Sequence, residues 1–186
     1  MLALLLREGI LRGTGPDLCR WPVMFPALQI LAAVLVGLSA AMGLAHVLEL
    51  PGKLRLSEEQ YRLVQPIYYP GFTIGGFFGE FGGMIATAAL VAVTPFRSPA
   101  FWPTAAAFVA FVAMHGVYWL VTHPVNKFWL ADQPVRGAGR AFFAAGGAAR
   151  AHGDWRNLRD RWELSHVIRA ALALIALSLL FLAMRA

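Results

Sequence analysis

The chain has 186 residues, 59% of them hydrophobic and only 14% charged, with a formal net charge of +6. A soluble domain carries about 25% charged residues, so the composition and a mean hydropathy of +0.61 exclude an ordinary soluble class. One cysteine, Cys19, excludes an internal disulfide framework.

Residues 1–23 form a leader. Its MLALLL start is too short for a signal h-region, and Gly13, Gly15 and Pro16 break any helix. The segment is either an amphipathic surface piece or lies before a true start at Met24. Cys19 falls here, outside any span, and is expected to be inert.

Residues 24–186 read as the transmembrane domain. Apolar stretches at about 25–50, 71–96, 101–123 and 164–184 each reach the ~20 residues that cross a ~30 Å hydrocarbon core. No alternating barrel pattern is present, so the spans are helices. The expected fold is all-α, an integral membrane four-helix antiparallel bundle with short interfacial helices in the loops.

The first span runs into Pro51-Gly52, read as a helix stop. Ser57 followed by Glu58, Glu59 and Gln60 predicts an N-capped interfacial helix. Tyr61, Tyr68 and Tyr69 suit an aromatic belt at headgroup level. In the second span Gly75, Gly79 and Gly83 recur every four residues, a small-residue face for close helix packing. Pro95 and Pro99 bracket a short turn that makes the second and third spans antiparallel neighbours. The third span is expected to stop at Pro124, with Asn126 capping exposed carbonyls or donating into the mouth of a site. A long loop, 124–161, follows; it holds His152 and a Gly/Ala-rich stretch. Trp102, Trp119, Trp129, Trp155 and Trp162 read as interface anchors, Trp119 also being one turn from His115.

Ten Lys and Arg residues lie in the two long connections against five at the other side. That places the large loops in the cytoplasm of a bacterial inner membrane, with both termini outside. The net charge then reflects loops against anionic lipid. The bilayer is the expected partner, and no nucleic acid is, since no basic-aromatic motif appears.

Ionisable groups within spans are costly and usually functional. Threading the antiparallel spans puts Glu80 and His115 at matched depth, roughly 12–14 Å below the loop-side end. His46, Glu49, Glu163 and His166 lie nearer the loops, and Arg169 lies one turn below His166. His46/Glu49 and Glu163/His166 are i,i+3 pairs, each on one helix face. The expectation is one polar site with Glu80 and Arg169 as its floor, facing the bundle interior. It would open towards the loops past an aromatic rim of Tyr68, Tyr69 and Trp155. His46 and His166 should then lie within about 15 Å of each other. A plainer alternative has the four upper residues hydrated at the interface and Glu80 paired with Arg169.

Residue type also allows a divalent metal. Carboxylate-bridged bundles use Glu-x-x-His motifs, as in Glu163-x-x-His166; His46-x-x-Glu49 has the reverse order. His46 and His166 are the pair that could ligate a haem. No cofactor at all is the other alternative.

Several strings carry a resemblance. They are Leu44-Ala45-His46-Val47-Leu48-Glu49-Leu50-Pro51-Gly52-Lys53, Tyr61-x-x-Val64-Gln65-x-Ile67-Tyr68, His123-Pro124-Val125-Asn126, and Trp155-x-x-Leu158-Arg159-x-x-Trp162-Glu163-x-Ser165-His166. The pattern, covering Phe25 to Met184, resembles a four-span membrane family that includes the anthrone oxygenases of fungal polyketide pathways. The stretch around Gly137–Ala151 looks like an insertion relative to that family. The resemblance implies a small membrane oxidoreductase or monooxygenase acting on an apolar, aromatic or quinone-like small molecule. His115 or Glu80 would be the base, with His46, Asn126 or Trp119 orienting the ring. Tyr68, Trp155 and Arg169 are further candidates for substrate contact. The competing reading is a non-enzymatic accessory subunit, or a protein that binds a small molecule or a metal. Oligomeric state is left open.

Overall fold

A computed structural model describes residues 21–69, 71–130 and 153–186, with the side chains of 21–23 excepted. The leader up to residue 20 with Cys19, the stretch 137–151 and His152 lie outside these residues. Four helices are long and apolar enough to cross a membrane: Met24–Lys53, Gly71–Val93, Phe101–Trp129 and Trp155–Met184. The chain is a multi-pass helical membrane bundle.

The first span is helix α1, Trp21–Lys53. A short helix, α2, Glu58–Val64, follows. It begins at the expected N-cap, Ser57, and the cap is a reciprocal capping box: Ser57 Oγ accepts from the Gln60 N–H, and Gln60 Oε1 accepts from the Ser57 N–H. The second span comprises α3, Gly71–Gly76, a π-helical turn Phe77–Gly82, and α4, Gly83–Val93. The third comprises α5, Phe101–Val117, a π-helical turn Tyr118–Thr122, and α6, His123–Trp129. The fourth is α7, Trp155–Met184.

Four boundaries differ from the sequence expectation. Pro51 does not stop α1, which continues to Lys53. A proline forfeits only its own N–H bond and crowds the carbonyl four residues back. One turn remains after it, and the Leu54 N–H closes that turn on Leu50 O at 3.0 Å. Pro124 does not stop the third span either. The wider π-turn just before it relieves the clash of its ring with the preceding turn. The last helix begins nine residues before Leu164, at Trp155, because Asp154 caps it by accepting from the Arg156 N–H at 3.1 Å. The second span ends at Val93, earlier than expected, since Thr94 precedes Pro95 and is extended.

The spans form a ring in which each packs on its sequence neighbours and α7 also packs on α1. Away from the loops the core is small and apolar. Ala32, Val36 and Ala40 of α1 meet Ala86 and Leu90, Ala107 and Phe111, and Ala173, Ala176 and Leu180. The glycine face of the second span is a packing face, as read from the sequence. An added Cβ at Gly75 would lie 2.6 Å from Met42 Sδ, at Gly79 2.7 Å from Ser39 Oγ, and at Gly83 2.8 Å from Phe111 Cε1. Only the deeper half of the second span, α4, packs substantially on the third. The loop-side half, α3 and its π-turn, lies mainly against α1. A gap is left beside the third span in that half.

A second cluster closes the loop-side end: Tyr61, Tyr68, Val125, Trp129, Leu158 and Trp162. Trp129 and Trp162 are therefore core residues rather than interface anchors, and Tyr61 and Tyr68 are buried rather than in a headgroup belt. The fold-back of α2 over the bundle end puts them there. Trp102, 65% exposed, keeps its expected place on the surface.

Candidate functional site

The polar side chains between the two clusters fall into two groups. The upper group centres on Lys53. Helix α1 runs one turn past its expected stop and carries this side chain inward, where it is buried. Lys53 Nζ lies 3.1 Å from Glu163 Oε1, 3.5 Å from Glu49 Oε2 and 3.4 Å from His46 Nδ1. It also sits 5.0 Å from the centre of the Trp162 ring. The Tyr61 hydroxyl donates to Glu163 Oε1 at 2.8 Å, and the Tyr68 hydroxyl donates to Glu49 Oε2 at 2.6 Å. Burial, and then the neighbouring Glu163 carboxylate, push the Tyr61 phenol well above its usual range. Burial and the bond to Glu49 do the same to Tyr68, and burial does so to Tyr69.

The lower group centres on Glu80, held on the π-turn of the second span. Its Oε1 pairs with Arg169 Nη2 and its Oε2 lies 3.1 Å from His115 Nδ1. Trp119 Nε1 donates to His115 Nε2 at 2.8 Å. An indole can only donate, so His115 carries its proton on Nδ1 and donates it to Glu80. The matched depth read from the sequence is thus a direct contact, and the anticipated Glu80–Arg169 pair is present. Arg169 also lies over the Tyr118 ring, 5.0 Å from its centre.

His46 and His166 join the groups. Their ring centroids are 4.0 Å apart, far inside the expected limit, and the planes are tilted by 39°. Tyr68, Phe72 and Trp162 surround His46 at 4.6, 4.8 and 5.0 Å.

A cavity of about 470 Å³ lies beside these residues. Of the residues singled out in the sequence, His46, Tyr68, Tyr69, Glu80, His115, Asn126, His166 and Arg169 line it. Asn126 is not free: its Oδ1 accepts from Trp162 Nε1 at 2.6 Å. Glu49, Glu163, Trp119 and Trp155 are not among the lining residues. Glu163 is held behind Lys53, Trp119 supports His115 from outside, and Trp155 packs on Tyr61 with ring centres 6.3 Å apart. The rest of the wall is largely aromatic: Phe72, Phe77, Phe78, Phe81, Tyr118 and Trp162.

The residues considered for a metal are otherwise engaged. Glu163 holds Lys53 and Tyr61, and Glu49 holds Tyr68 and Lys53. Among the described residues no group of three or more His, Cys, Asp or Glu is placed to hold an ion. His46 and His166 lie ring against ring, with no gap for a macrocycle between them.

Lys53 is the chief polar residue that the sequence reading passed over. Its signal was present: it lies four residues after Glu49 and seven after His46, on their helix face. Pro51-Gly52, read as a stop, hid it. His123, fully buried beside Tyr118 and Trp119, was likewise treated only as a helix end.

No family model, curated protein or solved structure matches the chain.

Proposed function

We propose that the protein is a small membrane oxidoreductase of the anthrone oxygenase-like kind. It would act on an apolar substrate whose C–H is activated by an aromatic ketone, in a bacterial inner membrane with the large loops in the cytoplasm. The observation that carries this reading is the aromatic-walled cavity that Glu80, His115, His166 and Arg169 also line. A site that is mostly apolar with a few convergent polar groups is the usual form of a small-molecule pocket.

Glu80 is the better base of the two candidates. His115 has no free lone pair, since Nε2 accepts from Trp119 and Nδ1–H faces Glu80. A carboxylate has about four acceptor positions, so Glu80 keeps some while bonded to His115 and Arg169. It removes a proton from the methylene that the ketone activates through the aromatic rings, leaving an enolate. The carbanion carbon adds O₂ and takes a proton, giving a hydroperoxide. Loss of the second C–H proton with cleavage of the O–O bond leaves a new carbonyl and one water. O₂ is the oxidant, and one O₂ converts CH₂ into C=O plus H₂O.

One observation favours the second reading, a non-enzymatic accessory or binding protein: Glu80 is already neutralised by Arg169, as structural glue would be. Oxygen uptake by the full-length protein in liposomes supplied with an anthrone separates the two. The oxidoreductase gives uptake well above protein-free liposomes, and Glu80→Gln lowers it by about a hundredfold or more, the scale of a general base. Uptake equal to that of empty liposomes leaves the accessory reading.

A further inference from the structure

Among the buried polar atoms, two donors beside the cavity have no hydrogen-bond partner among the described residues: His166 Nε2 and Arg169 Nε. The tautomer of His166 follows from its neighbour. Arg169 Nη1 lies 3.4 Å from His166 Nδ1, and a guanidinium only donates. His166 Nδ1 therefore accepts, and the proton stands on Nε2. A buried N–H without a partner costs roughly 1–3 kcal/mol, and His166 is only 6% exposed. What it lacks is an acceptor.

The wall of the same cavity is open on one flank. Ile74, Phe77 and Phe78 line it, yet they are 56, 60 and 60% exposed. All three lie within the second span, on the half that leaves the third span. The loop-side end, by contrast, is closed by the buried rings of Tyr61, Tyr68, Trp129 and Trp162. The exposed side of a membrane span faces lipid, so the open flank faces acyl chains. This differs from the mouth towards the loops expected from the sequence.

We infer that the cavity takes its ligand sideways from the bilayer, through the gap between the loop-side half of the second span and the third span. The ligand is flat and apolar over most of its surface and ends in an accepting oxygen, a ketone or enolate, that receives the His166 Nε2 hydrogen. The inference rests on the cavity being the ligand site of the proposed function, but not on any turnover. His166 is a ligand-orienting residue in this scheme, and the phenylalanines are the threshold the ligand crosses.

The test is equilibrium binding of two probes with one frame, fluorenone and fluorene, which differ in the ketone oxygen. Full-length protein in phosphatidylcholine vesicles is dialysed against protein-free vesicles, so that lipid partitioning cancels. Saturable binding of fluorenone, about tenfold tighter than fluorene, is expected for one good hydrogen bond. His166→Phe keeps a ring in place and should bring the two affinities together by weakening fluorenone alone. Gly76 lines the cavity, and an added Cβ there meets only Glu80 Oε1 at 3.8 Å, so Gly76→Leu puts its side chain into the cavity space and should weaken both probes. Equal affinity of the wild-type protein for the two probes overturns the oxygen-reading role, with no variant needed. Unchanged binding in Gly76→Leu overturns the cavity as the binding site. Phe77→Trp narrows the exposed flank and should slow uptake of fluorenone from the vesicles severalfold; an unchanged uptake rate overturns the lateral route. Discriminating binding without oxygen uptake keeps this inference while removing the oxidoreductase; uptake without discrimination does the reverse.

Discussion

His46 and His166, one near the end of the first span and one near the start of the last, lie with their rings 4.0 Å apart. Each accepts a hydrogen bond at Nδ1 from a cation, His46 from Lys53 and His166 from Arg169. The contact is where the upper and lower polar groups become one site. It also marks α1 and α7 as the pair on which the geometry depends.

Glu80→Ala should be among the most damaging substitutions. It leaves Arg169 buried without its carboxylate, and an orphaned buried charge costs about 3–5 kcal/mol. Glu58→Ala removes only a partly exposed pair with Arg62 and should cost less than about 0.5 kcal/mol. Thermal unfolding in detergent compares the two; equal midpoints would remove the structural role assigned to Glu80.

Lys53 and Glu163 should be strongly coupled. Lys53→Met and Glu163→Gln each strand a buried partner, whereas the double variant strands neither. A double-mutant cycle on unfolding free energy is expected to return a coupling of about 1–3 kcal/mol. Additive effects would mean that the 3.1 Å contact carries no net energy.

Alkaline pH should unfold the protein through Tyr61 and Tyr68. Their phenols are held above the unfolded value of 10.0, by burial first and by Glu163 and Glu49 next. The unfolded chain therefore loses these protons before the folded one. Their contribution is intact below about pH 10 and falls as the pH rises beyond it. Denaturant midpoints across that range should drop for the wild-type protein and drop less steeply for a Tyr61→Phe, Tyr68→Phe double variant.

Two glycines should respond in opposite directions. Gly83→Ala places a methyl 2.8 Å from Phe111 Cε1, and such overpacking costs about 1–3 kcal/mol. Gly116 has nothing within 4 Å of an added Cβ. Gly116→Ala should be stabilising by up to about 1 kcal/mol through helix propensity. Melting midpoints measured side by side decide, and a Gly83→Ala protein as stable as the parent would contradict the packing.

The topology is open to cysteine labelling in a Cys19→Ser background. Glu59→Cys and Arg156→Cys should react from one side of the membrane and Arg97→Cys from the other, all three positions being exposed. In the proposed orientation the first pair reacts from the cytoplasmic side.

The spans and the depth of the polar residues were legible because both depend on counting along a helix. Glu80 and His115 could be set level from their distances to the span ends, and they touch. Asp154, Pro51 and Pro124 show what counting misses. A side-chain cap extends one helix backward, a nearly completed last turn tolerates one proline, and a π-turn accommodates the other. Helical rotation was not legible either, because a π-turn adds a residue and turns every later side chain. Trp119, within such a turn, bonds to His115 and does not line the cavity. The burial of Tyr61 and Tyr68 depends on α2 folding over the bundle end, a tertiary event with no local signature.

The pairing of the first and last spans constrains biosynthesis. Three spans can enter the bilayer before the fourth leaves the ribosome. At that stage Lys53 has Glu49 of its own span but no Glu163, and Glu80 has no Arg169. The nascent chain therefore holds an uncompensated Glu80 carboxylate within the membrane until its final helix arrives. It would need shelter from the insertion machinery until then, and a chain truncated before α7 would be marked for degradation by that same charge.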